Sequence, residues 1–315
     1  MSPDRPALAA LAAFAAALGG CATSTAPEPA ALTVTAGACA RTAASAVVER
    51  DGVRLSAVAE GQGPGVLMIP SLGRGPADFD DLAAALVRDG RRVIRYEPRW
   101  YGTSDGPEEA DLFALADDAV AVAEALCGAP VDLVGHAFGN RVARATAAAH
   151  PLQVRGVVLL AAGGLTPLAP EVRAAIEGSV AQGLKPDAER LADLRLAFFA
   201  QGQDPAQWLT GWSPRAATLQ SAATQRTPRE RWWGAGRAPI LVIQATEDPV
   251  APPANGAALA AAAPGRVTAL NLAHASHAML PEQPAALAVA VTAWLRGNRD
   301  EGRLQQALDA QTRRP

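Results

Sequence analysis

The chain runs to 315 residues, half of them hydrophobic and 19% charged, with a formal net charge of −3. That is a globular composition with room for one large core or two small ones. Arginine supplies nearly all the positive charge, Lys185 being the only lysine, and it is scattered among acids. The clustered basic excess of a nucleic-acid surface is missing, so no nucleic-acid partner is expected.

Residues 7–18, ALAALAAFAAAL, form an apolar run of twelve behind a short polar start. A bilayer-spanning helix needs roughly 20 residues, so this run has the length of a signal-peptide core instead. LGGC at 18–21 resembles the lipobox of bacterial lipoproteins. That resemblance implies a signal peptide over 1–20, an acylated Cys21 and a lipid anchor in the bacterial envelope. Ala22 in the second position favours the outer membrane, by analogy with enteric lipoproteins. An ordinary secretory signal, leaving a periplasmic or secreted protein, is the alternative. Residues 21–44 read as a small-residue, Pro-containing tether, expected to be disordered. Export permits a disulfide between Cys39 and Cys127, but Cys127 also fits a buried small hydrophobe closing an apolar helix.

Two extended segments follow, SAVVER (45–50) and VRLSAVAE (53–60), joined by Asp51-Gly52, a pair suited to a tight hairpin. GVLMIP (65–70) is a continuous apolar run, as in a strand buried on both faces. Helical spacing over 79–90, a strand over 91–98, a helix over 111–126, a strand at VDLVG, a helix over 140–150 and a strand at VRGVVLLAA then alternate. After a break at Gly163-Gly164 the alternation resumes with APILVIQA, a helix over 255–262, RVTALNLA and AALAVAVTAWL. This predicts an α/β fold, a doubly wound, mostly parallel sheet of about eight strands. The core spans 45–163 and 237–297; the strand-poor segment 164–236 reads as a helical cap over the carboxyl ends of the strands, where ligands bind in such sheets. The polar stretch 298–315 reads as a frayed helical tail.

At the end of VDLVG stands Gly135-His136-Ala137-Phe138-Gly139. This is the strand–turn–helix of a nucleophile elbow, G-x-S-x-G, with alanine in the serine position. Three other stretches accompany it: IPSLGRGPADF after the third strand, YEPRWYGTSDG after the fourth, and the pair LVIQATEDPVAPP and HASHAMLPEQP near the end. Together they resemble the α/β-hydrolase fold, in a capped bacterial branch, over about residues 45–296. The resemblance implies the order nucleophile, acid, histidine at Ala137, Asp248 and His277. A histidine base needs a carboxylate on its other ring nitrogen to fix the tautomer and steady the imidazolium. Glu247 and His274 compete for these roles; Glu282, five residues after His277, favours His277, as in relatives. The oxyanion donors implied are the backbone N–H groups of Phe138 and of Ser71 or Leu72, with Leu72 preferred. Ser71 and the cap tryptophans Trp208, Trp212 and Trp232 are the expected substrate pocket, although aromatic residues there equally suit gluing cap to sheet.

Ala137 leaves three readings open: a serine replaced by substitution, a natural non-hydrolase, and a chance match. A branch resembling this chain reads G-H-A-F-G-N with a similar PSLGRG loop, which favours a natural alanine. Hydrolase-type chemistry on a small apolar, ester-like substrate is then expected from a His277–Asp248 dyad and an intact oxyanion hole. A lipid-anchored ligand-binding protein and a cofactor-free dyad enzyme, lyase or oxygenase, are the alternatives. Ser71 or Ser104 supplying a hydroxyl is a further, weaker option. No metal or nucleotide cofactor is implied, since neither a ligand-spaced His/Cys cluster nor a Gly-rich phosphate loop occurs.

Overall fold

A computed structural model describes residues 37–313; the expected signal peptide and Cys21 lie outside the described residues. An antiparallel hairpin opens the fold, β1 (Ser45–Arg50) and β2 (Val53–Glu60). It turns on Asp51 and Gly52, both at positive φ (46° and 76°), as a two-residue Asp-Gly turn requires. β3 (Gly65–Ile69), α1 (Asp80–Arg88), β4 (Arg92–Tyr96), α2 (Leu112–Leu126), β5 (Val131–His136), α3 (Phe138–Ala149) and β6 (Val154–Leu160) then alternate. Between β6 and β7 (Ile240–Ala245) lies a helical insertion of α4 (Pro170–Val180), α5 (Asp187–Ala197) and α6 (Pro214–Arg226). The chain ends with α7 (Pro253–Ala262), β8 (Val267–Leu272), α8 (Met279–Glu282), α9 (Pro284–Leu295) and α10 (Glu301–Gln311).

The eight strands form one sheet in the order β1-β2-β4-β3-β5-β6-β7-β8. β2 is antiparallel to both its neighbours and every pairing from β4 onward is parallel. β3, β5, β6 and β7 are buried at every position, which is why they read as unbroken apolar runs. Period two still divides them: Leu67, Leu133 and Val157 pack with α2 and α3, while Met68, Val134 and Val158 pack with α1 and α9. The chain runs outward from β3 to β4 and then crosses back to β5. The carboxyl ends of β3 and β5 are therefore the switch point of the sheet, the place where such folds open a crevice. Ile69 pairs with Gly135 there, so the loop after β3 lies beside the elbow.

Two expectations need correction. The last polar stretch is a docked helix, not a frayed tail: Leu304 and Leu308, four apart on α10, are fully buried against α9 and β8. Gln305 also pairs with the free edge of β8, accepting from Asn271 N–H at 3.0 Å and donating to its carbonyl at 2.8 Å. The end of the supposed tether is likewise fixed. Cys39 N–H donates to Gly63 O and Arg41 N–H to Cys127 O, each at 3.0 Å, and Cys39 is disulfide-bonded to Cys127 across 88 residues. Closing so long a loop restricts the unfolded chain, so reduction or Cys39→Ser should lower the unfolding free energy by about 2–4 kcal/mol. Denaturant unfolding with and without reductant measures this; equal midpoints would show that the bridge contributes nothing.

Candidate active site

Ala137 joins β5 to α3 at φ 50° and ψ −109°, a conformation that residues with a Cβ rarely adopt. Its N–H donates to Leu160 O at 2.9 Å, and its carbonyl accepts from the Asn140 backbone N–H at 3.2 Å and from the Asn140 side-chain amide. The same amide donates to Ala161 O at 3.1 Å, while Arg144 donates to its oxygen, so the Asn140 side chain has one orientation only. Strand and helix cross so closely that only glycine fits on either side. A Cβ on Gly135 would meet Gly139 O at 2.5 Å, and one on Gly139 would run into the carbonyl of Ile69. Phe138, the first residue of α3, has no intrahelical acceptor for its N–H.

Asp248 follows β7 by three residues. Its Oδ1 accepts from the N–H groups of Val250 and Ala251, both at 2.8 Å, and its Oδ2 receives His277 Nδ1–H at 2.8 Å. Both side chains are buried. With Nδ1 donating to a carboxylate, the neutral ring of His277 carries its lone pair on Nε2, the tautomer a general base needs. The competitors are elsewhere. His274, at φ 54°, contributes its carbonyl to Gln283 Nε2 at 3.0 Å, and the Glu247 carboxylate accepts from Gln201 N–H at 3.4 Å.

Three further contacts fix the His277 loop. His136 is fully buried and its Nε2 lies 2.8 Å from His277 O; a carbonyl can only accept, so Nε2 carries the proton. Burial, with His277 beside it, pushes the His136 pKa down to about 3, and its Nδ1 has no partner. Ala278 N–H donates to Phe198 O at 2.7 Å. Glu282 accepts from Ser276 N–H and from Ala200 N–H, both at 2.6 Å, so one carboxylate joins the histidine loop to the helical insertion. Burial raises its pKa to about 7.

The insertion covers the dyad. The Phe198 ring centroid lies 5.5 Å from His277 and 5.5 Å from Trp208, and Trp208 stands edge-on to His136 at 5.9 Å. Trp212 is 5.8 Å from Phe198. Trp232 does not join this group: it packs against Trp233 and over Arg144 at 4.6 Å, near the Gly163-Gly164 junction. Ser71 is buried in the loop after β3, its carbonyl accepting from Arg74 N–H at 3.1 Å. Ser104 belongs to the scaffold, its Oγ accepting from Ser56 N–H at 2.9 Å.

Arg74 carries a role that the sequence reading missed. It is bonded through two nitrogens to Asp78 (2.7 and 2.5 Å), donates to Thr210 O at 2.9 Å, and lies over Trp208 and Trp212 at 4.5 and 4.7 Å. Next to it, Gly73 N–H donates to Gln220 Oε1 and Gly73 O accepts from Ser213 N–H, both at 2.8 Å. The loop holding Leu72 is thus stapled to the insertion through the two residues that follow it. The only sequence signal was an arginine four residues before an aspartate.

A parallel sheet with this strand order, an elbow after β5 and an acid–histidine pair on the loops after β7 and β8 define the α/β-hydrolase architecture. Residues 64–284, more than half of the chain, match the model of the alpha/beta hydrolase fold, and the chain belongs to that family. It is similar to the 2-hydroxymuconate semialdehyde hydrolase of a Pseudomonas species, 33% identical over 119 residues, 36% of this chain and 42% of that protein. It is also similar to polyketide synthase ThaQ of Burkholderia thailandensis, 29% identical over 260 residues, 78% of this chain and 12% of the synthase. Neither match covers half of the relative. Among solved structures, the enol-lactonase from Burkholderia xenovorans superposes with a TM-score of 0.68 at 22% identity, over 80% of this chain and 99% of that one.

Two buried groups give opposed pH dependences. His136, with a folded pKa near 3 against 6.5 unfolded, binds fewer protons in the native state, so stability falls as pH drops from about 6.5 toward 3, by up to about 1.4 kcal/mol per pH unit. Glu282, raised to about 7 from 4.5, binds more protons in the native state, so its contribution falls as pH rises through that window. His136→Gln keeps a donor to His277 O and removes the first slope only. The difference between wild-type and variant unfolding free energies at pH 7, 6 and 5 should therefore shrink as pH falls; a constant difference would show that His136 titrates normally.

Proposed function

We propose that this chain hydrolyses a small, apolar, ester-like substrate with a His277–Asp248 dyad acting on water, the nucleophile position being left to Ala137. The observation that carries this reading is the intact acid–base pair: Asp248 takes three hydrogen bonds, one of them from His277 Nδ1 at 2.8 Å, and leaves Nε2 free as a base. His277 Nε2 takes a proton from water as the oxygen attacks the acyl carbon. The tetrahedral oxyanion is held by the N–H groups of Phe138 and Leu72. Collapse expels the alcohol oxygen, which receives the proton back from Nε2, and acid and alcohol leave with one water consumed. Backbone donors do not depend on the side chain at 137, so the cradle needs no serine. Phe198, Trp208 and Trp212 would meet the apolar part of the substrate, which suits their position over the dyad.

The test is hydrolysis of a panel of short and long p-nitrophenyl esters by the chain and its variants. His277→Ala should lower kcat about 10²–10⁴-fold, the usual contribution of a general base. Ala137→Ser should raise turnover and add a burst from a covalent acyl intermediate. Turnover by the serine variant alone would overturn hydrolysis by this chain while keeping the scaffold. No turnover by either would overturn the reading altogether.

The lipobox supports a further part of the proposal, that Cys21 anchors the protein to the bacterial envelope. Cys21→Ser should move the protein from the membrane fraction to the soluble fraction of a bacterial host that makes lipoproteins; equal fractionation would remove the anchor from the reading.

A further inference from the structure

Behind the elbow, α3 carries two arginines one turn apart, Arg141 and Arg144, which share a helix face. Arg144 is wholly buried. Its Nη2 donates to Gly163 O at 2.8 Å and to Asn140 Oδ1, its guanidinium lies over Trp232 and Trp233 at 4.6 Å each, and its Nη1 has no partner. Every one of these neighbours is neutral. Arg141 Nε is also buried without a hydrogen bond, and the side chain reaches forward to the end of β6. Its Nη2 stands 4.0 Å from where a Cβ on Gly163 would be, a point that Val250 O approaches to 4.0 Å and Ala251 Cβ to 3.6 Å. Val250 and Ala251 are the residues whose N–H groups hold Asp248. The Arg141 tip and the acid loop of the dyad therefore both approach Gly163, at the end of β6.

Arg144, wholly buried, and Arg141, half-buried, differ from the other cations that burial leaves with partners. Arg74 pairs with Asp78, Arg99 with Asp118, Arg155 with Asp132 and Arg190 with Asp187, at 2.5–3.1 Å, and Arg92 bonds three carbonyls. Among the described residues no carboxylate pairs with Arg141 or Arg144. Burial disfavours the charge on both, and Arg141 disfavours it further on Arg144. A wholly buried Arg144 with the half-buried Arg141 beside it is unfavourable, and stacking on indole rings offsets only part of that. An anion between the loops offsets the rest. The guanidinium fork suits a planar carboxylate, which it binds through two parallel hydrogen bonds.

We propose that Arg141 binds a free carboxylate of the substrate beside the dyad, so that the ester-like substrate is an acid at its other end. A half-ester of a dicarboxylic acid has this chemistry: an apolar stretch for Phe198 and Trp208, a scissile acyl group, and an anion. The inference rests on the hydrolytic reading for the word substrate, but the anion site is tested by binding alone.

The experiment is titration of the full chain with hexanoate, with hexanamide as its uncharged match, and with inorganic phosphate, by calorimetry at low salt. Hexanoate should bind at least tenfold more tightly than hexanamide and phosphate. Arg141→Gln should weaken hexanoate at least tenfold and Arg141→Lys by less. Near-ultraviolet circular dichroism checks that each variant is folded, and Arg141→Lys carries the test should the glutamine variant fail there. Equal binding of hexanoate and hexanamide, or unchanged binding in a folded Arg141 variant, would overturn the site. Phosphate binding as tight as hexanoate would overturn the carboxylate assignment. Arg141-dependent hexanoate binding without turnover of any ester leaves the anion site standing and removes the hydrolytic reading; turnover of neutral and acidic esters alike, with no Arg141 effect, does the reverse.

Discussion

At Ala137 the chain passes from strand to helix through a backbone conformation that is unfavourable for any residue with a Cβ, by about 1–3 kcal/mol. It persists because its surroundings allow nothing else. Gly135 and Gly139 touch backbone where a methyl group would stand, Leu160 and Asn140 hold the Ala137 peptide groups, and β5 and the first three residues of α3 are buried. From this one turn the rest of the site follows. His136 faces inward to reach the His277 carbonyl, the Phe138 N–H is left without an intrahelical partner, and Asn140 is set between two carbonyls, where Arg144 fixes its orientation. None of these contacts uses a side-chain oxygen at 137. The strain belongs to the backbone and survives with alanine in place.

The helical insertion is fastened to the sheet at the points where the chemistry would occur. Glu282 links the histidine loop to Ala200, Ala278 N–H holds Phe198 O, and Gly73 and Arg74 bind the loop after β3 to Ser213, Gln220 and Thr210. The aromatic residues are at once adhesive and covering: Phe198 and Trp208 pack on the two buried histidines. Reaching His277 therefore means displacing rings, whereas the Arg74–Asp78 pair behind them is buried and expensive to break. Movement is cheaper at Phe198 and Trp208 than at the loop of Leu72, so an entering ligand would part the rings while that loop stays in place.

The sheet was legible because fully buried parallel strands are unbroken apolar runs, and because Asp51-Gly52 specifies its turn chemically. The elbow and the acid–histidine pair were legible from residue type and order along the chain, and Asp248 and His277 do stand in contact while His274 and Glu247 do not. What sequence could not carry was which distant residues meet. Arg74 lies 134 positions from Trp208, and nothing local pairs them. Trp208 and Trp232 look alike in a strand-poor stretch, yet one covers the dyad and the other backs Arg144, since helix periodicity does not say which of two surfaces a face will meet. The docked C-terminal helix was hidden for a related reason: its apolar stripe is two leucines in an otherwise polar segment.

Buried polar groups and strain are costs, and a fold that only enclosed an apolar ligand would be better served by apolar residues of similar volume. This chain keeps three such costs within one small region: a positive-φ alanine, a buried Asp248–His277 pair, and His136 held neutral with one nitrogen unpartnered. They are coupled, because His136 supports the His277 carbonyl and leaves the elbow one residue before Ala137. With alanine at 137 such a site has no oxygen for covalent catalysis, while the Asp248–His277 pair stays in contact and, on the proposed reading, serves as base and orienting acid. A base without a nucleophile acts through a molecule it can deprotonate, and water is the smallest one that fits where a hydroxyl is missing. The arginines on α3, for which no carboxylate partner is found among the described residues, extend the same logic to the proposed substrate, because a partly desolvated cation is less favourable alone than with an anion beside it.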